Sequence, residues 1–205
     1  MLTPLLAFFL SGPATPAENQ DMADAMPTAL RAKSAMSYEG VEHTTVGWEH
    51  CLAPNAFYEK DKKHITICYE LAPRMKELVG DEWVGALAGV VAHEMAHAVI
   101  ETRDIPMLTS EEAAADELAA ITLVAAGMER SLISLSKYYQ MEYMEEVMFM
   151  QMGLVPALDI SDEHPPHGYR AAHLACMIMG GLRLIPDCKD VFQARQSAWT
   201  KILHG

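Results

Sequence analysis

The chain has 205 residues, of which 51% are hydrophobic and 21% are charged, as is typical of one globular domain with a substantial core. Fifteen basic residues stand against 28 acidic residues, which gives a net charge of −13 near neutral pH. A surface of that sign repels phosphate backbones and anionic membranes. Because the sequence also has no basic cluster and no glycine-rich phosphate loop, we expect no nucleic-acid partner.

The N-terminus has the pattern of an export signal. A short apolar core over residues 5–10 is followed by small residues and prolines that end near Ala17, as at a signal-peptide cleavage site. The usual basic residues before the core are missing, so a truncated start or a short membrane anchor would give the same pattern. We predict a signal peptide over 1–17, a linker leading into a first helix over 18–40, and a single domain over 41–205. The protein would then be periplasmic or secreted, with no other transmembrane segment.

Four cysteines fit an exported protein. They form two sequence-local pairs, Cys51 with Cys68 and Cys176 with Cys188. Four cysteines allow three connectivities, and the sequence does not choose among them. We favour the local pairing because each pair flanks a plausible turn. Four buried free thiols are the alternative, and a cytoplasmic location would favour it.

Extended segments come first along the domain. They are predicted over residues 46–51, 55–58 and 64–69, with a charged turn over 59–63. The last segment alternates and is rich in β-branched side chains, so Ile65, Ile67 and Tyr69 would share one face of a strand. A disulfide between Cys51 and Cys68 would pin this small sheet.

Helical patterns follow the strands. Gly80 and Asp81 open a long apolar helix, and Thr109 or Ser110 caps the next helix, which runs to Gly127. The remaining predictions are helices over 128–152, over 167–180 and after Pro186, with a loop over 153–166. No internal repeat or second domain is visible, and the patterns together predict an α+β fold that is mainly α-helical.

The long apolar helix carries His93-Glu94-Met95-Ala96-His97, an H-E-x-x-H element. Residues four apart share a helix face, so the two imidazoles lie side by side, where one zinc ion takes a nitrogen from each. Glu94 leaves the helix beside the first histidine, close enough to act on a metal-bound water. A chance match on a buried helix would bury three ionisable groups without a partner, which is costly. The element therefore predicts one Zn²⁺ per chain together with a general base.

A third zinc ligand is available in the next predicted helix. Glu112 and Asp116 are four residues apart, and two like charges at that spacing cost about 0.2–0.5 kcal/mol unless a cation lies beside them. We predict that Glu112 ligates the metal and that Asp116 accepts a hydrogen bond from the far nitrogen of a ligand histidine. A capping box with Thr109 also explains Glu112. That alternative leaves Asp116 unexplained, and with it the alanines at 113–115, which would let another helix approach closely.

A late polar cluster contains His164, in a loop held by two prolines, and Arg170 at the start of a helix. An imidazole in such a loop can stabilise an oxyanion or cap the open coordination position of a metal. The alternative is an ordinary polar loop with Arg170 in a surface or structural ion pair. The spacing alone does not choose between them.

The motifs resemble those of a known class of enzyme. His93-Glu94-x-x-His97 followed by Glu112-x-x-Ala115-Asp116 resembles the H-E-x-x-H…E-x-x-A-D signature of gluzincin-type zinc peptidases, which include HtpX-like and CAAX-prenyl-protease-like enzymes. His164-Pro165 with Arg170 resembles their late H-P…R element. The resemblance implies zinc ligation by His93, His97 and Glu112, with Glu94 as the general base that hydrolyses a peptide bond of a peptide or protein substrate.

A bacterial family of exported metallopeptidase-like proteins is the most similar. It shares a stretch that matches Cys51, Asn55-Ala56-Phe57-Tyr58, Ile65 and Cys68-Tyr69-Glu70, and the resemblance covers roughly residues 48–188.

This resemblance implies zincin-like catalytic helices with a small antiparallel sheet at the edge of the cleft. It makes the strand residues His64, Ile65, Thr66 and Ile67 the place where an extended peptide adds as a further strand. It also makes His164 a catalytic residue and Arg170 a residue of the site, although His167 and His173 supply further imidazoles close by. The multiple membrane helices of HtpX-like enzymes are absent, so their membrane substrates do not carry over.

Two functions of other classes remain open. One is a catalytically silent, zinc-stabilised binding or assembly protein of the cell envelope. The other is a copper protein, because Met141, Met144 and Met148 recur at helical spacing and thioethers bind Cu(I). Methionine stripes more often serve as flexible core packing.

Overall fold

The computed structural model describes residues 13–106, 110–153 and 166–204. Within these residues the protein is mainly helical, with one small sheet. The elements in chain order are α1 Pro16–Ala35, β1 Thr45–Glu49, β2 Ala56–Glu59, β3 His64–Cys68, α2 Leu71–Val79, α3 Trp83–Thr102, α4 Glu111–Ala125, α5 Glu129–Gln151, α6 His167–Gly181 and α7 Pro186–His204. The predicted α+β, mainly α-helical class is confirmed. His164, Thr109 and residues 1–12 of the predicted signal peptide lie outside the described residues.

Helix α1 occupies most of the stretch predicted as a linker leading into a first helix. Thr15 and Glu18 form a capping box at its start, where the Thr15 N–H donates to the Glu18 carboxylate and the Glu18 N–H donates to the Thr15 hydroxyl. Its buried positions Ala25, Ala29 and Ala32 are small and lie on one stripe of the helix. Because small side chains allow a close approach, α1 packs along α3 and is part of the core.

The sheet is mixed, whereas the sequence predicted an antiparallel one. The strand order is β1-β3-β2, with β1 parallel and β2 antiparallel to β3. A tight turn at Lys60–Lys62 makes β2 and β3 a hairpin, while β1 joins on the far side of β3 and runs in the same direction. The Cys51–Cys68 disulfide links the ends of these two parallel strands and pins the sheet.

Helix α3 is the centre of the fold. It begins at Trp83, later than predicted, because Gly80 adopts a positive φ of 58° that ends the preceding helix α2. Every residue over 86–96 is buried, as expected of a helix that is apolar on all sides. Among the described residues, Leu71–Thr102 is one helical stretch with the length and composition of a membrane span, and 83% of its apolar window is buried inside the protein.

The C-terminal helices α6 and α7 form a closely packed pair. The Cys176–Cys188 disulfide joins them. A Cβ at Gly180 would lie 2.1 Å from the Cys188 carbonyl oxygen, so glycine is required at this approach. The pair fixes α6, which carries Arg170 into the interior beside α4.

Candidate metal centre

Three predicted ligands converge at the junction of α3 and α4. The Nε2 atoms of His93 and His97 lie 3.1 Å apart. His93 Nε2 is 3.2 Å from Glu112 Oε2, and His97 Nε2 is 3.2 Å from Glu112 Oε1. The two histidines come from consecutive turns of α3, and Glu112 from the first turn of α4, which Ser110 caps by accepting the Ala113 N–H.

These separations match the spacing of zinc ligands. Ligand atoms at about 2.0–2.1 Å from a tetrahedral zinc lie about 3.3 Å from one another. One ligand atom each from His93, His97 and Glu112 forms a triangle whose sides are all within 4.8 Å. The two Nε2 atoms are 3.1 Å apart, and each lies 3.2 Å from a different oxygen of Glu112, which is close to the expected spacing. Two imidazoles and a carboxylate are also donors that catalytic zinc takes, with a fourth position left open. The residues present therefore fit a zinc ion.

Carboxylates orient both histidines. His93 Nδ1 lies 2.8 Å from Asp116 Oδ1, and His97 Nδ1 lies 2.8 Å from Glu111 Oε1. Because a carboxylate only accepts, each Nδ1–H donates, which leaves Nε2 as the ring nitrogen available to a metal. The role of Asp116 was predicted. Glu111 was not, because an acidic residue in a first helical turn has an ordinary explanation in the helix dipole.

Arg170 lies behind the ligands and joins α6 to α4. Its Nε donates to Asp116 Oδ2 at 2.9 Å and its Nη2 donates to Asp116 Oδ1 at 2.8 Å, a bidentate pair with both residues buried. The guanidinium carbon lies 4.2 Å from the centroid of the Tyr139 ring, which adds a cation–π contact. Arg170 is thus at the site, as a buried structural ion pair that fixes the partner of His93.

The electrostatics of the triangle favour positive charge. Burial and Arg170 lower the pKa of His93, but Asp116 and Glu112 outweigh them and raise it to about 9. Burial lowers the pKa of His97 as well, and Glu112 more than reverses this. Burial raises the pKa of Glu112, whereas both histidines lower it, with a net decrease. The carboxylates around the two histidines therefore favour positive charge at this position, as a bound cation would supply it.

Glu94 lies on α3 between the two ligand histidines and faces the cleft. Its Oε2 accepts the backbone N–H of Tyr58, on strand β2, at 2.9 Å. Burial raises the pKa of Glu94 above its ordinary value, and the nearby histidines oppose the shift without cancelling it. A carboxylate shifted in this direction suits a general base that works near neutral pH.

Two cavities meet at Glu94. One has a volume of about 510 Å³ and the other about 420 Å³, and both are lined by Asn55, Ala56 and Glu94. Because they share this wall, and because His97 and Glu112 line the first and His93 the second, we treat the two cavities as one groove beside strand β2. The first half also has walls from Phe57, Lys60, Ile100, Glu101, Asp104 and Ile105, and the second from Leu71, Arg74, Val90, Tyr138, Tyr139 and His167.

The predicted substrate strand is wrong. His64, Ile65, Thr66 and Ile67 belong to β3, which is the central strand and is hydrogen-bonded on both sides. Ile65, Thr66 and Ile67 are also completely buried. The edge of the sheet that lines the groove is β2, the strand that provides Tyr58.

The remaining histidines, methionines and cysteines considered in the sequence analysis do not add a ligand to this centre among the described residues. Because His164 is outside the described residues, its predicted role stays a prediction. His167 lines the groove and its Nδ1 lies 2.5 Å from Glu146 Oε1. Met144 and Met148 are exposed on α5. A second group of potential ligand residues, Cys51, Cys68 and Glu70, has its two sulfurs in a disulfide and so offers no thiolate.

The chain matches one family model, DUF4344, which is described as "Putative metallopeptidase", over residues 17–182. This range contains all of α1 except its first residue, the sheet, helices α3 and α4 with the candidate ligands, and Arg170. No curated protein and no solved structure matches the chain.

Proposed function

The chain belongs to the DUF4344 metallopeptidase family, and from that membership we propose that it is a zinc-dependent endopeptidase of the gluzincin type. In this proposal His93, His97 and Glu112 hold one zinc ion, and Glu94 is the general base. The observation that carries it is the triangle of three ligand atoms beside a buried carboxylate in an open groove. The family supports the proposed peptidase activity, and the set of candidate ligands supports the proposed zinc ion.

Each group of the candidate site has a proposed role in hydrolysis. Zinc, when bound, supplies a water of lowered pKa and a Lewis acid for the carbonyl oxygen. Glu94 takes the proton from that water and passes it to the leaving amine. Asp116 and Glu111 keep the two Nε2 atoms directed at the metal position. We keep the proposal that His164 donates to the oxyanion.

Strand β2 is the proposed docking edge for the substrate. An extended peptide that pairs with this edge would lie along the groove, with residues on both sides of Glu94. Space on both sides suits cleavage within a chain, which supports an endopeptidase. The two halves differ in charge: acidic residues with Lys60 line the first, whereas the second contains the arginines Arg74 and Arg170 beside Tyr138 and Tyr139.

The cellular location follows from the covalent chemistry. Two disulfides indicate an oxidising environment, and therefore export. We propose that the protein acts in the periplasm or is secreted.

The central test replaces Glu94 with Gln, which keeps the shape of the side chain and removes its basicity. We expect Glu94→Gln to retain about one zinc per chain and to lose about 10²- to 10⁴-fold in hydrolysis of a casein or peptide-library substrate. Metal analysis and a fluorogenic assay, each with and without chelator, measure the two quantities. Glu77→Gln, the same change at an exposed position on α2, is the matched control.

Each alternative function has its own outcome in this test. Wild-type protein that binds zinc but leaves every substrate intact would be the silent binding or assembly protein. Copper in place of zinc, lost on replacement of Met144 and Met148, would indicate the copper protein. A Glu94→Gln variant as active as wild type would overturn the mechanism.

A further inference from the structure

The backbone of β2 presents alternate residues to the groove. The Cys68 N–H donates to the Asn55 carbonyl at 3.0 Å, so Asn55 directs its backbone groups toward β3. In an antiparallel ladder this direction alternates, so Phe57 also faces β3, whereas Ala56 and Tyr58 face away from it. A peptide that pairs with this edge must therefore bond to the backbone of Ala56 and Tyr58.

One of these outward groups is already occupied. The Tyr58 N–H donates to Glu94 Oε2 at 2.9 Å. An N–H has one hydrogen, so a peptide carbonyl that pairs with Tyr58 competes with the Glu94 carboxylate for the same donor. Docking of the substrate and the position of the proposed base are thus linked through a single main-chain group.

Strand β2 is fixed against the helix that carries the base. The Tyr58 hydroxyl donates to Glu101 Oε2 at 3.1 Å, and Glu101 lies seven residues, or two turns, after Glu94 on α3. Lys60 Nζ lies 3.1 Å from the other oxygen of Glu101. Burial raises the pKa of Tyr58 to about 12, with Glu101 adding to the shift, so this donor stays protonated at neutral pH. Because Tyr58 and Lys60 both bind Glu101, strand β2 is fixed against α3. A docking peptide must therefore compete with Glu94 for the Tyr58 N–H where it now lies.

We propose that pairing of an extended peptide with β2 takes the Tyr58 N–H away from Glu94 and frees the carboxylate to act on the attacking water. The inference rests on the proposed function. It makes Tyr58 a positioning residue that acts through its backbone, and it specifies the substrate as an extended peptide long enough to reach the edge at Tyr58. Shorter substrates leave Glu94 bonded to the strand and react slowly even when they are bound.

The test compares two substrates with the same scissile pair, a blocked dipeptide reporter and a ten-residue peptide. For wild type we expect kcat to be about tenfold higher for the longer peptide, because remote binding raises kcat when it is used to reorganise the site. Tyr58→Pro removes the N–H, and an edge strand tolerates proline where the N–H faces outward. In this variant we expect a higher kcat for the dipeptide and a ratio of the two kcat values near one.

Tyr58→Ala is the matched control, since it loses the same ring but keeps the N–H, and it should keep the wild-type ratio. Circular dichroism and zinc content show whether each variant is folded. If Tyr58→Pro is not folded, the wild-type comparison alone decides, and a kcat that is independent of peptide length overturns the inference. An equal loss of kcat on both substrates in Tyr58→Pro also overturns it, because the N–H would then only orient the base. Zinc-loaded wild type that cleaves neither substrate would instead refute the proposed function.

Discussion

Asp116 links the candidate metal centre to the surrounding helices. Its Oδ1 lies 2.8 Å from both His93 Nδ1 and Arg170 Nη2, and its Oδ2 accepts a further bond from Arg170. Through these contacts one carboxylate on α4 connects His93, a proposed zinc ligand on α3, to a buried cation on α6. Arg170 and His93 hold the pKa of Asp116 below its usual range against the opposite effect of burial, so the carboxylate is charged.

Removal of this carboxylate should affect folding and metal binding separately. Asp116→Ala leaves Arg170 buried, at 6% exposure, without its bidentate partner, so we expect the free energy of unfolding to fall by about 3–5 kcal/mol. Zinc affinity should fall by about 10- to 100-fold, because His93 loses the group that orients it. Urea unfolding of zinc-free protein and competition with a chelator measure the two effects.

A double variant separates the effect on stability from the effect on zinc affinity. Asp116→Ala with Arg170→Met no longer buries an unpaired charge, so it should regain much of the stability but none of the zinc affinity. Equal loss of stability in the single and double variants would contradict the role given to the ion pair.

Spacing was enough to predict which side chains of α3 and α4 meet at the candidate site, apart from Glu111, but it could not predict the main-chain contact of Tyr58. His93, Glu94 and His97 are recognisable in the sequence as polar residues within an apolar helical segment. Glu112 and Asp116 are recognisable because they are four residues apart and therefore share a helix face. The Tyr58 N–H leaves no trace in a sequence, because every residue except proline has one. Its meeting with Glu94 depends on where β2 lies in space.

At the scale of elements, two glycines determine how closely α3 approaches α5. A Cβ added at Gly89 would lie 2.8 Å from Leu135 Cβ and 3.2 Å from the Ser131 carbonyl. At Gly85 the nearest atom, also at 2.8 Å, is the hydroxyl of Ser134. Gly85 and Gly89 lie one turn apart on the same face, so α5 packs against the backbone of the helix that carries His93 and His97.

Alanine has a better helix propensity than glycine, but at Gly89 we expect it to destabilise the folded protein. Alanine gains about 1 kcal/mol over glycine within a helix, but overpacking costs about 1–3 kcal/mol. We expect Gly89→Ala to lower the free energy of unfolding and Gly85→Ala to be close to neutral, because a serine hydroxyl rotates away more easily than a leucine Cβ moves. Chemical denaturation of both variants gives the comparison, and greater stability of Gly89→Ala than wild type would contradict the packing.

The existence of the strands was predictable, but their order was not. Alternation identified β3, and a one-faced strand would have exposed Thr66. In the structure Thr66 is fully buried and its hydroxyl donates to Glu59 Oε1 at 2.8 Å, which satisfies it in the middle of the sheet. Strand order depends on pairing between segments that are distant in sequence, so local patterns assigned the docking edge to the wrong strand.

For the whole molecule, the net charge of −13 and the acidic residues of the groove both favour the approach of positively charged ligands. The half of the groove beside Ile100 and Ile105 is lined by Glu101, Asp104 and Glu111, with Lys60 as the one lysine or arginine among its described residues. A cleft with an excess of one charge sign concentrates ligands of the opposite sign. The proposed peptidase should therefore prefer cationic peptides.

This preference is measurable with three peptides that share a scissile pair and carry charges of about +2, 0 and −2. At low ionic strength we expect kcat/KM to be about tenfold or more higher for the cationic peptide than for the anionic one, within the range of electrostatic steering. Because the Debye length shortens from about 30 Å at 0.01 M salt to about 8 Å at 0.15 M, the difference should shrink as salt is added.

Asp104→Asn tests whether the groove contributes beyond the overall charge. Asp104 has a φ of 49°, a conformation that asparagine adopts as readily as aspartate, so the substitution removes one charge without backbone strain. Asp81→Asn removes one charge at an exposed position outside the groove. If local electrostatics select the substrate, Asp104→Asn reduces the preference more than Asp81→Asn does. Equal effects would assign the preference to the net charge alone, and no preference at low salt would refute the electrostatic argument altogether.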